Sequence, residues 1–550
     1  LKEGEPAMTA ADETRLGDEE RRLLAPFVTN LDAPVFGLRN LPEVIKGALF
    51  SRYSRSEKSL RRILLDEFIQ APEADFAAIA GGGGDEAQLL AVQRAEKFYE
   101  RVLIGYGDDS VAELGGAHLA CEDISNIAAK ALEDRRIGIS PLEKSTRYVP
   151  FDRKQNGRYR YLREPAILAS PFAAAYERTL DALFDTYSRL MQPTIDYVRA
   201  ANPQEAGTST RAYHSATRAR ALDLLRGLLP MATLTNVGLF GNGRAFEYLL
   251  TRLYASPLSE LQDLAGKMQQ SLDALIPSFV KRAKNERGQA YQAYLRATAA
   301  RVAALAAAQP LEPAATQTEA VQLVDYDRQA EQKVLAAILY GQGHLALAEA
   351  RALAEHLPAT ERAELLRAYV GERANRFHRP GRALEEAQYS FDLLADIGAY
   401  RDLQRHRILS QERQHFSSRH GYVTPAELED AGLADDYRRA LAQAGALAAR
   451  IAEEMPEEAG YAVPMAFRVR WRVTLNLREL YHLAELRSTP QGHPGYRRIA
   501  QAMYEQVRAV QPLLAEGMRF VDMSDYALER LDAERRLDAK LAARRMQNGE

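Results

Sequence analysis

Between Phe467 and Leu475 apolar and polar side chains alternate without a break: Phe467, Val469, Trp471, Val473 and Leu475 against Arg468, Arg470, Arg472 and Thr474. A period of two puts successive side chains on opposite faces of an extended chain, so this stretch predicts a strand with one buried face. Tyr389, Phe391 and Leu393 alternate in the same way and predict a second strand. Directly afterwards Ile397, Tyr400 and Leu403 recur at helical spacing, so that strand feeds a helix. Helical spacing also runs through Leu60, Ile63 and Leu64, and through Ile124, Ile127, Ala128, Ala131 and Leu132. Tyr291 to Ala308 reads as an alanine-rich helix, and the prolines of Gln309-Pro310-Leu311-Glu312-Pro313 mark a linker after it. Ala, Leu, Arg and Glu dominate the composition, which suits a helix-rich chain.

The pattern is duplicated. Pro230-Met231-Ala232 recurs as Pro464-Met465-Ala466, and Asn242-Gly243-Arg244 as Asn476-Leu477-Arg478, at one constant offset. Shared triplets at a single offset point to internal repetition. The chain then divides into a polar N-terminal segment that is flexible or a peripheral helix (1–34), a first repeat (35–308), a linker (309–319) and a second repeat (320–550). Asn476 stands where a helix N-cap belongs. Backbone amides at that helix start, with Arg478 in its first turn, make an anion pocket. The run Gly81–Gly84 is followed by Asp85 and Glu86 rather than Gly-Lys-Ser/Thr, so it reads as a flexible loop and not a phosphate cradle.

Composition narrows the function. With 72 basic against 75 acidic residues, the chain lacks the electrostatic footprint of a bulk nucleic-acid binder. A single cysteine, Cys121, excludes internal disulfides and cysteine-rich metal sites and fits a cytoplasmic location. It sits in an apolar stretch and reads as core; His118 and His482 likewise read as structural. No apolar run reaches membrane-spanning length, and no signal-peptide pattern opens the chain.

The chemistry concentrates at Arg405-His406-Arg407-Ile408-Leu409-Ser410, followed by Ser417-Ser418-Arg419. Three consecutive cationic positions at a helix end complement its dipole. They cannot all face one surface, so at least one points inward or toward a partner. Earlier lie Arg135-Arg136-Ile137-Gly138-Ile139-Ser140 and Glu143-Lys144-Ser145-Thr146-Arg147. Arg-His-Arg, two residues, Ser, a short loop and Ser-x-Arg resemble the signature of the flavin-dependent thymidylate synthases, the ThyX family. The first copy keeps the family's four residues between serines but loses part of the basic triplet. The second keeps the triplet but separates Ser410 from Ser417 by six residues. The family's Glu-His pair before the signature helix has no counterpart, since Glu113-Leu114 and Glu385-Glu386 stand there.

The resemblance implies an α+β fold of two tandem ThyX-like domains, helix-rich with an antiparallel sheet. It implies reductive methylation of dUMP to dTMP, with FAD as cofactor and NADPH and methylenetetrahydrofolate as co-substrates. Arg405, His406, Arg407, Ser410, Asn476 and Arg487 map to cofactor binding. Glu143, Ser145, Arg147, Arg478 and Arg497 map to substrate binding, with Ser145 and Arg497 nearest the chemistry. Arginine suits this work because its planar fork binds phosphate oxygens in pairs. Arg487 lies nine residues after Arg478, on roughly the opposite helix face, and so reaches a different ligand or site. Because each copy keeps a different part of the signature, a complete site is expected to be composite. It would join the first copy's loop to the second copy's triplet, in a homodimer of tandem chains that rebuilds a four-domain assembly. Methylation of another uracil-containing compound, or a degenerate binding protein, are the alternatives.

Overall fold

A computed structural model describes residues 16–70, 111–134, 137–309 and 319–548. The glycine run Gly81–Gly84, Arg135, Arg136, most of the linker and residues 1–15 lie outside the described residues. Residues 16–34 include a short helix, Asp18–Leu24, and bury Leu24, Phe27 and Val28.

In the first repeat β1 (Gly116–Ser125) leads into α1 (Asn126–Glu133) and β2 (Ile139–Glu143). Two helices, α2 (Ala173–Ala201) and α3 (Thr210–Leu225), precede β3 (Leu234–Asn242), α4 (Gly243–Tyr254) and α5 (Glu286–Ala307). The second repeat begins with β4 (Val321–Tyr326), then β5 (Gln388–Asp396), α6 (Ile397–Leu403) and β6 (Leu409–Arg413). It continues through α7 (Ala434–Glu454), β7 (Arg468–Asn476), α8 (Leu477–Arg487), α9 (Pro494–Val510) and α10 (Leu531–Asn548). The sheets carry the duplication: one has the order β1-β3-β2, the other β4-β5-β7-β6. The second thus repeats the strand order of the first and adds β4 at an edge.

The alternation that predicts β7 is borne out, with Val469, Trp471, Val473 and Leu475 all buried. In the antiparallel register Leu393 faces Trp471, Phe391 faces Val473 and Tyr389 faces Leu475. Burying each such side chain stabilises by about 1.5–3 kcal/mol, so this ladder anchors the strand that delivers α8. Asn476 and Asn242 cap α8 and α4 in the same way, each side-chain oxygen accepting from the backbone N–H three residues on. Ile124 closes β1 rather than opening α1, because Ser125 takes the N-cap and accepts from Ala128 N.

Contacts gather the chain into two compact units that divide the first repeat rather than separating the repeats. One comprises Leu1–Glu122, Arg135–Leu142 and Asn236–Leu311; the other comprises Asp123–Asp134, Glu143–Thr235 and Glu312–Glu550. In the first unit, the His118 ring packs 4.6 Å from that of Phe240, and Arg244 pairs with Glu113 at 2.8 Å. Cys121 is buried there, and burial pushes its thiol up to about 11, which makes it a core residue and a poor nucleophile.

The second unit contains both Pro-Met-Ala triplets, and they pair with each other. Pro230 and Pro464 form an antiparallel bridge. Around it Met231 N donates to Val463 O and Met465 N to Leu229 O, both at 2.9 Å. Ala232 N donates to Tyr461 O at 3.0 Å, and Ala466 N to Gly227 O at 2.9 Å. Each bond has its counterpart with the two repeats exchanged, which is the reciprocity of a twofold interface. The long helices α2 and α7 also pack together in this unit. Gly227 sits at the tightest point: a Cβ there would stand 2.1 Å from the Tyr437 hydroxyl and 2.9 Å from the Ala466 methyl. Gly227→Ala is therefore expected to destabilise by about 1–3 kcal/mol through overpacking. Gly266→Ala, on a helix with open space around it, should be neutral or stabilising by up to about 1 kcal/mol. Urea-unfolding midpoints of the two variants check this, and equal shifts would contradict the close approach.

Candidate active site

The site residues of the second unit grow from two places where a strand or helix of one repeat meets the other. The first is Glu143, at the end of β2. Its carboxylate is fully buried and takes cations from both repeats: Lys130 Nζ of α1 at 3.0 Å, Arg401 of α6, and Arg405 Nη2 at 3.3 Å. Lys130 also pairs with Glu133. Burial opposes ionisation of Glu143, but Arg401, Lys130 and Arg405 outweigh it and hold its pKa near 2. Beside this cluster Gln404, itself buried, donates to Lys130 O at 3.1 Å and to Asp134. It thereby fixes the junction where α6 ends and the basic triplet begins.

The second place is Arg147. Its Nε and Nη2 make a bidentate pair with Asp223 of α3, at 2.7 and 2.6 Å. Its Nη1 is directed to Gln491 O at 3.3 Å and to the Tyr496 hydroxyl at 3.5 Å. Asp223 is buried; burial opposes its charge, but Arg147 holds the carboxyl well below the usual range. Close by, Arg226 Nη1 lies 3.6 Å from Asp402, while its Nη2 is buried without a hydrogen-bond partner.

The inward-pointing member of the triplet is His406. Its Nδ1 stands 2.7 Å from a Glu479 oxygen, and its Nε2 accepts from Arg487 Nε at 2.9 Å. An acceptor at Nε2 fixes the neutral tautomer with the proton on Nδ1, donated to Glu479. Burial first, then the Arg487 charge, depress the His406 pKa to about 4 against the pull of Glu479. His482 reaches the other Glu479 oxygen at 3.4 Å. Arg487 lies with its guanidinium 5.7 Å from the Tyr496 ring centre, so Tyr496 is approached by Arg147 and Arg487 alike.

The remaining predicted residues are distributed unevenly. Arg405, Arg407 and Ser410 are exposed where α6 gives way to edge strand β6. Ser145 Oγ accepts from Arg147 N at 3.2 Å, and Ser417 Oγ accepts from Arg419 N at 3.4 Å, the same local turn in both copies. Arg478 lies away from this cluster, bound to Pro380 O at 2.9 Å and Glu385 at 3.0 Å. Arg497 is buried, donating to Ser488 O and Ser524 O at 2.8 Å each. Asn476 is committed to its cap. Sequence reasoning missed Lys130, Asp223, Arg401, Gln404, Glu479 and Tyr496. Two of them carried a signal: Lys130 and Asp223 interrupt the apolar runs Ile127–Leu132 and Ala221–Leu225, where a charge demands a buried partner.

The thymidylate synthase complementing protein family matches twice, over residues 67–278 and 322–513. The chain belongs to this family. It carries two tandem ThyX-like copies in the α+β, helix-rich arrangement that the sequence implies. Among its relatives, a UPF0159 protein of Chlamydia pneumoniae is 45% identical over 522 residues, covering 94% of this chain and 97% of the relative. A UPF0159 protein of Thermoplasma acidophilum is 35% identical, covering 90% and 99%. A solved structure titled as the UMP/dUMP methylase PolB from Streptomyces cacaoi bound with 5-Br dUMP is 20% identical. It covers 36% of this chain and 93% of its own, with a TM-score of 0.31. Among the described residues of this ThyX-like chain, no helix is long and apolar enough to cross a membrane.

Two outcomes follow from the buried charges. Glu143→Gln keeps the shape but leaves Arg401 buried without its countercharge, which is expected to cost about 3–5 kcal/mol; a urea melt within 1 kcal/mol of the parent would contradict it. His406 must stay neutral in the fold, so its contribution is full above the unfolded pKa near 6.5 and is lost as pH falls toward 4. Burial and the charges of Arg226 and Arg147 depress the His493 pKa too, despite Asp223, and His493 adds to the same trend. Stability should therefore fall from pH 6.5 to 4 with a shallower slope in His406→Gln. An unchanged slope in that variant would show that folding leaves the His406 pKa where it stands in the unfolded chain.

Proposed function

We propose that this protein catalyses flavin-dependent reductive methylation of dUMP to dTMP at a site composed from both repeats. The observation that carries the reading is Glu143: the first copy's signature loop meets the second copy's Arg401 and Arg405 on one carboxylate. Each copy retains the part of the family signature that the other has lost, and these retained parts lie together. Arg405, Arg407 and Ser410 fit the phosphate end of FAD, being exposed donors on one edge. His406 does not fit a direct role, since both its ring nitrogens are engaged. It positions Arg487 instead, and Asn476 serves the helix start. The flavin supplies hydride chemistry that side chains cannot, with reducing equivalents from NADPH and the carbon from methylenetetrahydrofolate. Arg147 Nη1, whose contacts to Gln491 O and the Tyr496 hydroxyl are the longest that guanidinium makes, and Arg487 would orient the anionic nucleotide by exchanging such contacts for its phosphate. Two chains would associate as a homodimer with four ThyX-like domains.

A second reading, methylation of another uracil-containing compound, is favoured by Arg478 and Arg497. Both are engaged by protein acceptors, so substrate recognition draws on other residues. The test is tritium release from ring-labelled dUMP with FAD, NADPH and methylenetetrahydrofolate. Release that requires all three supports the reading; release only from ring-labelled UMP would favour the second, and release from neither with no flavin absorbance would reject both. Arg405→Ala with Arg407→Ala should weaken flavin binding by about 1.5–3 kcal/mol per lost charge-assisted contact, read by equilibrium dialysis.

A further inference from the structure

In the second unit, beyond the Ser145–Arg147 loop, lies a cavity of about 330 Å³ that the reading above does not use. None of Arg147, Asp223, Arg405, Arg487 or Tyr496 lines it. Its floor is apolar, with buried Phe151 and Phe184. Around it stand Lys144, Arg153 and Arg218, whose side chains make no hydrogen bond or ion pair among the described residues. Some exposed arginines of the same unit find carboxylates, as Arg438 does with Asp435 and Arg439 with Asp436; these three groups do not.

A fourth lining cation, Arg160, is paired with Asp123, which leaves three like charges that repel each other unless an anion is shared among them. The one carboxylate lining the cavity, Asp152, does not serve: no ion pair links it to them, and its Oδ1 is buried without a hydrogen-bond partner. A buried acceptor left open is costly and calls for a donor. The cavity therefore offers cations for an anion and an acceptor for a hydroxyl or N–H. Inorganic phosphate carries only its own short P–OH as a donor, whereas a phosphomonoester adds hydroxyl or N–H groups at a distance from its phosphate. The volume stands at the low end of the range of about 300–1,000 Å³ for small-molecule sites, which suits a single phosphorylated unit rather than a dinucleotide.

We propose that this cavity is a second ligand site, taking a phosphomonoester of a sugar or nucleoside. Its phosphate would lie among Lys144, Arg153 and Arg218, and one of its hydroxyl or N–H groups would donate to Asp152. The site stands apart from methyl transfer, and its test requires no turnover, so failure of dUMP methylation would leave it intact. The full-length protein is titrated calorimetrically with AMP, ribose 5-phosphate and inorganic phosphate. Expected is binding of AMP at least tenfold tighter than phosphate. Ribose 5-phosphate matching AMP would assign the site to sugar phosphates, and failing to match it would assign the site to nucleotides. Arg153→Glu with Arg218→Glu, both exposed positions, should weaken AMP more than tenfold. The charge-matched Arg544→Glu with Arg545→Glu on α10 should not. Asp152→Ala should narrow the gap between AMP and phosphate. No binding of any probe, phosphate binding as well as AMP, or AMP binding unchanged by the double variant in this cavity would each overturn the proposal.

Discussion

The buried carboxylate of Glu143 is the constraint on which the candidate site depends. A charge that leaves water must be compensated within a few ångströms, and the compensation here comes from both copies. The end of β2, the face of α1 carrying Lys130 and the last turn of α6 must therefore be placed together. Once Arg401 is held there, the chain emerging from α6 has little choice of direction. Gln404 is tied to Lys130 O, Arg405 reaches back to Glu143, and His406 turns inward. The basic triplet is aimed by an acid belonging to the other repeat.

The pairing of the two Pro-Met-Ala triplets explains how such cross-dependence arises within a single chain. Reciprocal backbone bonds about Pro230 and Pro464 have the form of contacts between identical subunits, here supplied by two copies on one chain. A covalent connection raises the effective concentration of one copy about the other without any new contact. It also removes the requirement that both copies stay alike. In a symmetric dimer a change in the loop would appear in every site; in a tandem chain it appears in one. The two Ser-x-Arg loops show this freedom: Arg147 is buried against Asp223, while Arg419 at the matching position is exposed.

Much of this was legible in the sequence because periodicity and burial are local. The alternation in β7, the strand-to-helix step at Asp396, the cap at Asn476 and the inward turn of one triplet member follow from neighbouring residues alone. The partners of the charges do not. Arg147 resembles a phosphate clamp by its motif, and only the fold brings Asp223 to it across 76 positions. Arg497 maps to substrate binding by the family resemblance, yet two backbone carbonyls occupy its guanidinium. A motif fixes which donor is present, whereas tertiary packing fixes which acceptor reaches it first.

That distinction bears on how the site can work. A guanidinium on a flexible stem must be ordered before it can orient a ligand, and ordering costs side-chain entropy. Here the cost is met during folding. Asp223 grips two nitrogens of Arg147 and leaves Nη1 directed at the Tyr496 hydroxyl. On the other side Glu479 holds the His406 proton on Nδ1, so that Nε2 accepts from Arg487. Were His406 protonated, Nε2 would carry a hydrogen and a charge toward Arg487, and the bond would become a repulsion. The depressed pKa of His406 is thus a condition for the position of Arg487 rather than a by-product of burial. Two arginines, each oriented by a buried acid and one of them through a neutral imidazole, converge on Tyr496 before any ligand arrives, and such preorganised donors act without further rearrangement.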